Sequence, residues 1–144
     1  MTDNFDFAGI WKGEYVYEDR LDPAIVKTAT PFILRLKHAG VAEFFTGICQ
    51  DDPEVSKIDF PAKVYGRVRG AELVFVKKYP KTLISDNGKM IMGDDPHPDI
   101  IYSARITSDT RLQGTWVMEP TFRSVHGHVV EIPKISGRWW IERL

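Results

Sequence analysis

Apolar and polar residues alternate position by position in eight separate stretches of this chain, and the connections between those stretches are tight and long by turns. The stretches are residues 9–18, 32–38, 43–50, 62–69, 71–80, 100–107, 111–119 and 136–143. A period of two sends successive side chains to opposite faces of a strand, so each stretch reads as a half-buried β-strand. No amphipathic helix competes with them. Turns at Ala39-Gly40, at Gly70 and at Ser108-Asp109 are short, whereas the loops after the first, third, fifth and seventh stretches run to about ten to twenty residues, against about two to five for ordinary hairpins. In an up-and-down meander alternate loops lie at opposite ends of the sheet, so one end is pinched and the other elaborated. An eight-stranded antiparallel sheet escapes exposed edges by closing, and a barrel of about eight strands can hold one small ligand. The fold expected is all-β, a single eight-stranded antiparallel up-and-down β-barrel spanning residues 1–144.

Phase follows strand by strand. Trp11, Gly13, Tyr15 and Tyr17 share one face of the first strand, and Phe32, Leu34 and Leu36 one face of the second. In the third, Phe44, Thr46 and Ile48 compete with Phe45, Gly47 and Cys49, and the register stays open. Asp22, Pro23 and Pro31 punctuate the first long loop, and Asp86-Asn87-Gly88, Gly93-Asp94-Asp95 and Pro96-His97-Pro98 fill residues 80–98 with turn chemistry and no strand period.

The fifth strand, A-E-L-V-F-V-K-K-Y-P, is the most informative. Leu73, Phe75, Lys77 and Tyr79 lie on one face, so an apolar strand ends in a lysine and a phenol as it approaches the elaborated end. An unpaired buried ammonium is costly, so either water reaches Lys77 or an acid satisfies it; the long loops favour water. Tyr15, Tyr17, Tyr102, Trp116 and Met118 would stand on neighbouring walls, and with Phe75, Lys77 and Tyr79 they form the candidate ligand-binding set, an amphipathic cavity. The alternative is a filled barrel in which Lys77 snorkels to water along its own stem.

With 43% hydrophobic and 27% charged residues and a net charge of -1, the 144-residue chain has no electrostatic footprint for nucleic acid or anionic membrane. No apolar run of about 18 residues is present, and residues 1–6 lack the features of a signal peptide. Cys49 stands alone, which excludes an intrachain disulfide and fits a reducing compartment; a cytoplasmic location is expected. Its thiol has no activating neighbour in sequence and reads as buried and inert.

Gly9-Ile10-Trp11 opening the first strand, with Arg143 near the end of the last, resembles the calycin superfamily of lipocalins, fatty-acid-binding proteins and avidins. The resemblance implies that Arg143 packs over Trp11 at the closed end and that small hydrophobic molecules bind inside. Closure also sets the last strand antiparallel to the first, which places the two residues side by side. The middle lipocalin signature is missing, and residues 19–30 are too short for the two-helix lid of fatty-acid-binding proteins.

Other chemistry is sparse. His97, His126 and His128 share the elaborated end with Asp51, Asp52, Asp94, Asp95 and Glu131, but without ligand-like spacing, and no metal or cofactor is expected. Asp51 reads as a turn-forming acceptor at a loop start, and His38 as a structural residue at the pinched end. No G-x-S-x-G, Walker loop, H-E-x-x-H or dinucleotide fingerprint is present. Because no acid–base pair can be placed at catalytic spacing, a binder of a small hydrophobic or amphipathic ligand, anionic or carbonyl-bearing, leads. An enzyme of isomerase, lyase or hydrolase type using the same cavity comes second, and a carboxylate at the mouth within reach of Lys77 or Tyr79 would favour it. A module presenting its long loops to a protein or peptide is third. Ile33, Val74, Val76, Val117 and Trp140 fall on outward faces, so a homodimer is expected.

Overall fold

The computed structural model describes residues 5–18, 29–86 and 89–144. Eight strands close into an antiparallel barrel: β1 (Gly9–Tyr17), β2 (Thr30–Ala39), β3 (Val41–Asp51), β4 (Ala62–Arg69), β5 (Glu72–Lys78), β8 (Ile100–Arg105), β9 (Arg111–Met118) and β12 (Ile135–Arg143). Their order around the barrel follows the chain, and β12 pairs with β1 to complete the ring, Trp11 standing opposite Arg143 and Tyr15 opposite Trp139. The all-β, up-and-down architecture is therefore the one the alternation dictates, because every strand needs one buried face and a closed ring leaves no open ladder of N–H and C=O groups. Among the described residues no helix is long and apolar enough to cross a membrane.

Two hairpins and a turn of helix fall in stretches that show no period in the sequence. The β5–β8 connection carries a hairpin, β6 (Leu83–Asp86) with β7 (Lys89–Met92), and the β9–β12 connection carries another, β10 (Thr121–Val125) with β11 (His128–Ile132). Strands of four or five residues are too short to display alternation. His126 and Gly127, at φ 51° and 80°, make the tight two-residue turn that closes the second hairpin, a turn that needs positive φ at both positions. Between β3 and β4 lies a single turn of helix, α1 (Pro53–Ser56), with Asp52 accepting from the Glu54 N–H at 3.0 Å and Pro53 in its first turn. The turn chemistry at Asp22, Pro23 and Asn87-Gly88, and most of the first long loop, residues 19–28, lie outside the described residues.

The register of β3 resolves in favour of Phe45, Gly47, Cys49 and Asp51 facing inward, with Phe44 and Ile48 outside at 39% and 43% exposure. Gly47 permits this, since a Cβ there would meet the Arg35 carbonyl oxygen at 1.9 Å.

The pinched end is solid. Phe7, 1% exposed, lies against Phe45 and His38 with ring centroids 4.6 and 4.8 Å apart, and the Trp11 indole N–H donates to its carbonyl at 3.0 Å. The Arg143 guanidinium sits 4.2 Å over the Trp11 ring, and its nitrogens donate to the carbonyls of Asp6, Ala8 and Asp109, so one side chain ties the N-terminal segment and the β8–β9 turn to the barrel. Above this layer Phe75 stacks on Tyr102 at 4.7 Å and meets the Trp139 edge at 5.5 Å. The barrel is filled from Trp11 up to this aromatic layer and open beyond it.

Candidate functional site

The open half holds a cavity of about 380 Å³, within the range of small-molecule sites. Barrel strands supply Tyr15, Tyr17, Lys77, Ile100, Tyr102, Trp116 and Met118, and Tyr79 follows one residue after β5. The hairpins roof it with Leu83 and Ile84 from β6 and Val130 and Ile132 from β11. Seven of the eight residues expected to bind ligand therefore line one space. Phe75 does not: two residues further from the mouth than Lys77, it belongs to the stacked aromatic floor and is 2% exposed.

Lys77 is not at a wet mouth. It is 1% exposed, and the expectation that water reaches it gives way to an acidic partner, because its Nζ donates to Asp51 Oδ1 at 2.9 Å. Asp51 is itself 1% exposed and points into the barrel from the last position of β3, whereas its neighbour Asp52 caps α1. The same carboxylate accepts from Tyr15 Oη at 3.2 Å and from Tyr79 Oη on Oδ2, while the Cys49 thiol approaches Oδ1 at 3.9 Å. An ionised carboxylate has about four lone-pair sites, so Asp51 is saturated by donors of the protein. The ammonium also lies over the rings of Tyr15 at 4.5 Å and Tyr79 at 5.0 Å. Aromatic faces replace part of its lost hydration.

These contacts set the protonation states. Burial by itself pushes the Lys77 ammonium down, but the Asp51 carboxylate beside it prevails and holds it well above the usual lysine value. Burial raises the phenols of Tyr15, Tyr79 and Tyr102 well above 10, raises Tyr17 to about 12, and lifts the Cys49 thiol to about 12, in keeping with an inert buried thiol. His97, whose ring Nδ1 lies 2.9 Å from the Pro98 carbonyl, is pushed down by burial and stays neutral. The polar centre is thus one ion pair of zero net charge ringed by protonated phenols.

The two remaining cavity phenols differ from Tyr15 and Tyr79. Neither Tyr17 nor Tyr102 has a hydrogen-bond partner for its hydroxyl among the described residues, although Tyr102 is 2% exposed. No side-chain nitrogen or oxygen sealed from solvent lacks a partner there, so the Tyr102 hydroxyl opens on the cavity rather than into packed protein.

The remaining polar residues of this end are dispersed. Asp95 accepts from the Ser124 N–H at 2.9 Å, His97 is buried beside Tyr79, and His126 and His128 belong to the β10–β11 turn. Among the described residues no three His, Cys, Asp or Glu side chains come together as a metal site. His38, at the pinched end, pairs with Asp6 at 3.3 Å.

Sequence reasoning missed Asp51 as a site residue. The signal for it was parity: once Phe45 and Cys49 face inward, Asp51 must as well, and a buried lysine needs a countercharge. The roof residues left no such signal, because their strands are too short. No family model matches this chain, and no curated protein does.

Proposed function

We propose that the protein is a calycin-like barrel that binds a small hydrophobic or amphipathic molecule, with the polar end of the ligand at the Lys77 end of the cavity and its apolar body toward the hairpins. The observation that carries this reading is the space of about 380 Å³ at the open end of an otherwise filled barrel, walled by aromatic and aliphatic side chains with a few convergent polar groups. A packed interior with a flat mouth would have favoured a module working through its loops. We place the protein in a reducing compartment of the cell, on the one buried thiol of Cys49.

Native mass spectrometry of freshly purified protein is the direct test, since a retained ligand identifies itself by mass. A panel of fatty acids, phosphorylated metabolites and aromatic carbonyl compounds, followed by tryptophan fluorescence, supplies the second arm; Trp116 lines the cavity and should report occupancy. Absence of both a retained mass and any saturable binding would overturn the reading.

A second reading, an enzyme using the same cavity, is favoured by one observation. Asp51 lies within hydrogen-bond reach of both Lys77 and Tyr79, the juxtaposition of acid, cation and phenol that proton transfer requires. Its carboxylate is already saturated and buried, which suits a structural ion pair better than a base that must exchange protons with a substrate. Turnover of a bound carbonyl compound that Asp51→Asn abolishes without loss of binding would establish the enzyme.

A further inference from the structure

The polar groups of the cavity divide into those already used and those still free, and the division selects a ligand class. Asp51 and Lys77 neutralise each other, with Tyr15 and Tyr79 committed to the carboxylate. A second anion brought beside Asp51 would be a buried charge without a countercharge of its own, which proteins tolerate poorly. His97, neutral, offers none, and among the described residues no other lysine or arginine lines the cavity. What remains is donors: the hydroxyls of Tyr17 and Tyr102, of which Tyr102 is the deeper, on a residue 2% exposed, without a partner among the described residues and open to the cavity. Its raised pKa keeps the proton in place. A buried donor gains most from an acceptor that costs little to desolvate, and a neutral carbonyl oxygen fits that requirement.

The shape of the inner wall narrows the class further. Trp116 stands between the two free phenols, edge to face with Tyr17 at 5.0 Å and nearly parallel to Tyr102 at 6.4 Å. Flat π-systems pack against such walls, whereas the hairpin side offers aliphatic Leu83, Ile84, Val130 and Ile132. We infer that the cavity takes an uncharged, flat aromatic or conjugated carbonyl compound whose oxygen accepts a hydrogen bond from Tyr102 and whose apolar remainder lies toward the two hairpins. This inference rests on the binding function proposed above and makes the carbonyl, not an anionic group, the recognised end.

Three probes of one shape test it: acetylnaphthalene, naphthoate and ethylnaphthalene, each as the same positional isomer, titrated by calorimetry at neutral pH. The ketone should bind about ten-fold or more tighter than the carboxylate, the scale of one satisfied buried donor against one uncompensated charge. Tyr102→Phe keeps the ring and the packing on Phe75; it should weaken the ketone about five- to ten-fold and leave ethylnaphthalene unchanged. A thermal melt of the variant within a degree or two of the parent excludes misfolding; should Tyr102→Phe fail to fold, the infrared carbonyl stretch of the bound ketone replaces it, lowered by a hydrogen bond in the parent and still lowered in Tyr17→Phe. Tighter binding of naphthoate, a folded Tyr102→Phe variant indifferent to the ketone, or in its stead a bound-ketone stretch that is unshifted or loses its shift in Tyr17→Phe, would overturn this inference and leave a binding protein standing. Failure of all three probes to bind would overturn the inference, and together with an empty native mass spectrum it would overturn the binding function as well.

Discussion

Replacing Lys77 by methionine preserves most of the side chain's length and removes its charge, and the structure gives the cost. The ammonium is 1% exposed and 2.9 Å from a carboxylate whose side chain is fully buried. Removing one member of a buried ion pair typically costs about 3–5 kcal/mol, because the survivor is stranded. Asp51 would keep its bonds from Tyr15 and Tyr79, so the loss should sit at the lower end, about 3 kcal/mol. That is a large part of the roughly 5–15 kcal/mol that holds a domain together. The double variant Lys77→Met/Asp51→Leu removes both charges; its phenols can turn toward the cavity, so it should lose only about 1–2 kcal/mol and recover part of the single-variant loss. Urea denaturation at neutral pH, followed by tryptophan fluorescence and far-ultraviolet circular dichroism, measures the full cycle. A Lys77→Met loss below about 0.5 kcal/mol, the range of ordinary surface substitutions, or strict additivity in the cycle, would refute a buried Lys77–Asp51 pair.

At the pinched end, Trp11→Ala should cost about 3–5 kcal/mol for a fully buried indole, and Arg143→Ala about 1–2 kcal/mol, since water can replace it at exposed carbonyls; equal stability of Trp11→Ala and the parent would contradict the closed, plugged end. High pH should unfold the protein: Tyr15, Tyr17, Tyr79 and Tyr102 hold their protons in the fold beyond the value of about 10 that applies once unfolded, as Lys77 does beyond 10.5. Above pH 10 each phenol therefore removes about 1.4 kcal/mol of stability per pH unit until its folded value is reached. Urea midpoints at pH 9, about 10 and 11 should fall steeply, and phenolate absorbance from these four should rise with unfolding and not before it; a flat stability profile would contradict their burial. On the barrel exterior Tyr65, Val76, Ile101 and Val117 are cross-strand neighbours in one apolar row, whereas Trp140 is covered by Arg111 at 4.6 Å and bonded to Glu14. Self-association is expected through that row. Sedimentation should show a dimer that Val76→Glu abolishes, and a clean monomer at high micromolar concentration would refute it.

The barrel itself was legible in the sequence because strand alternation is a local property: the inward sets Trp11-Gly13-Tyr15, Phe32-Leu34-Leu36, Ala62-Val64 and Leu73-Phe75-Lys77 follow from a period of two. The pairing of Trp11 with Arg143 followed as well, once closure sets the last strand against the first. What tertiary structure decided was everything that depends on distance between remote positions. Asp51 and Lys77 stand 26 residues apart, and nothing local tells a loop-start aspartate from a buried countercharge; only the phase of β3, with Phe45 and Cys49 buried on the same face, turns it inward. The depth to which the barrel fills was decided in the same way, since Phe75 belongs to the floor and Lys77 to the cavity because Tyr102 stacks on Phe75 and Trp139 packs edge-on against both. The roof came from hairpins whose strands are too short to show a period. Alternation says which way a side chain points, while what it meets there is settled by the other barrel strands and the two hairpins.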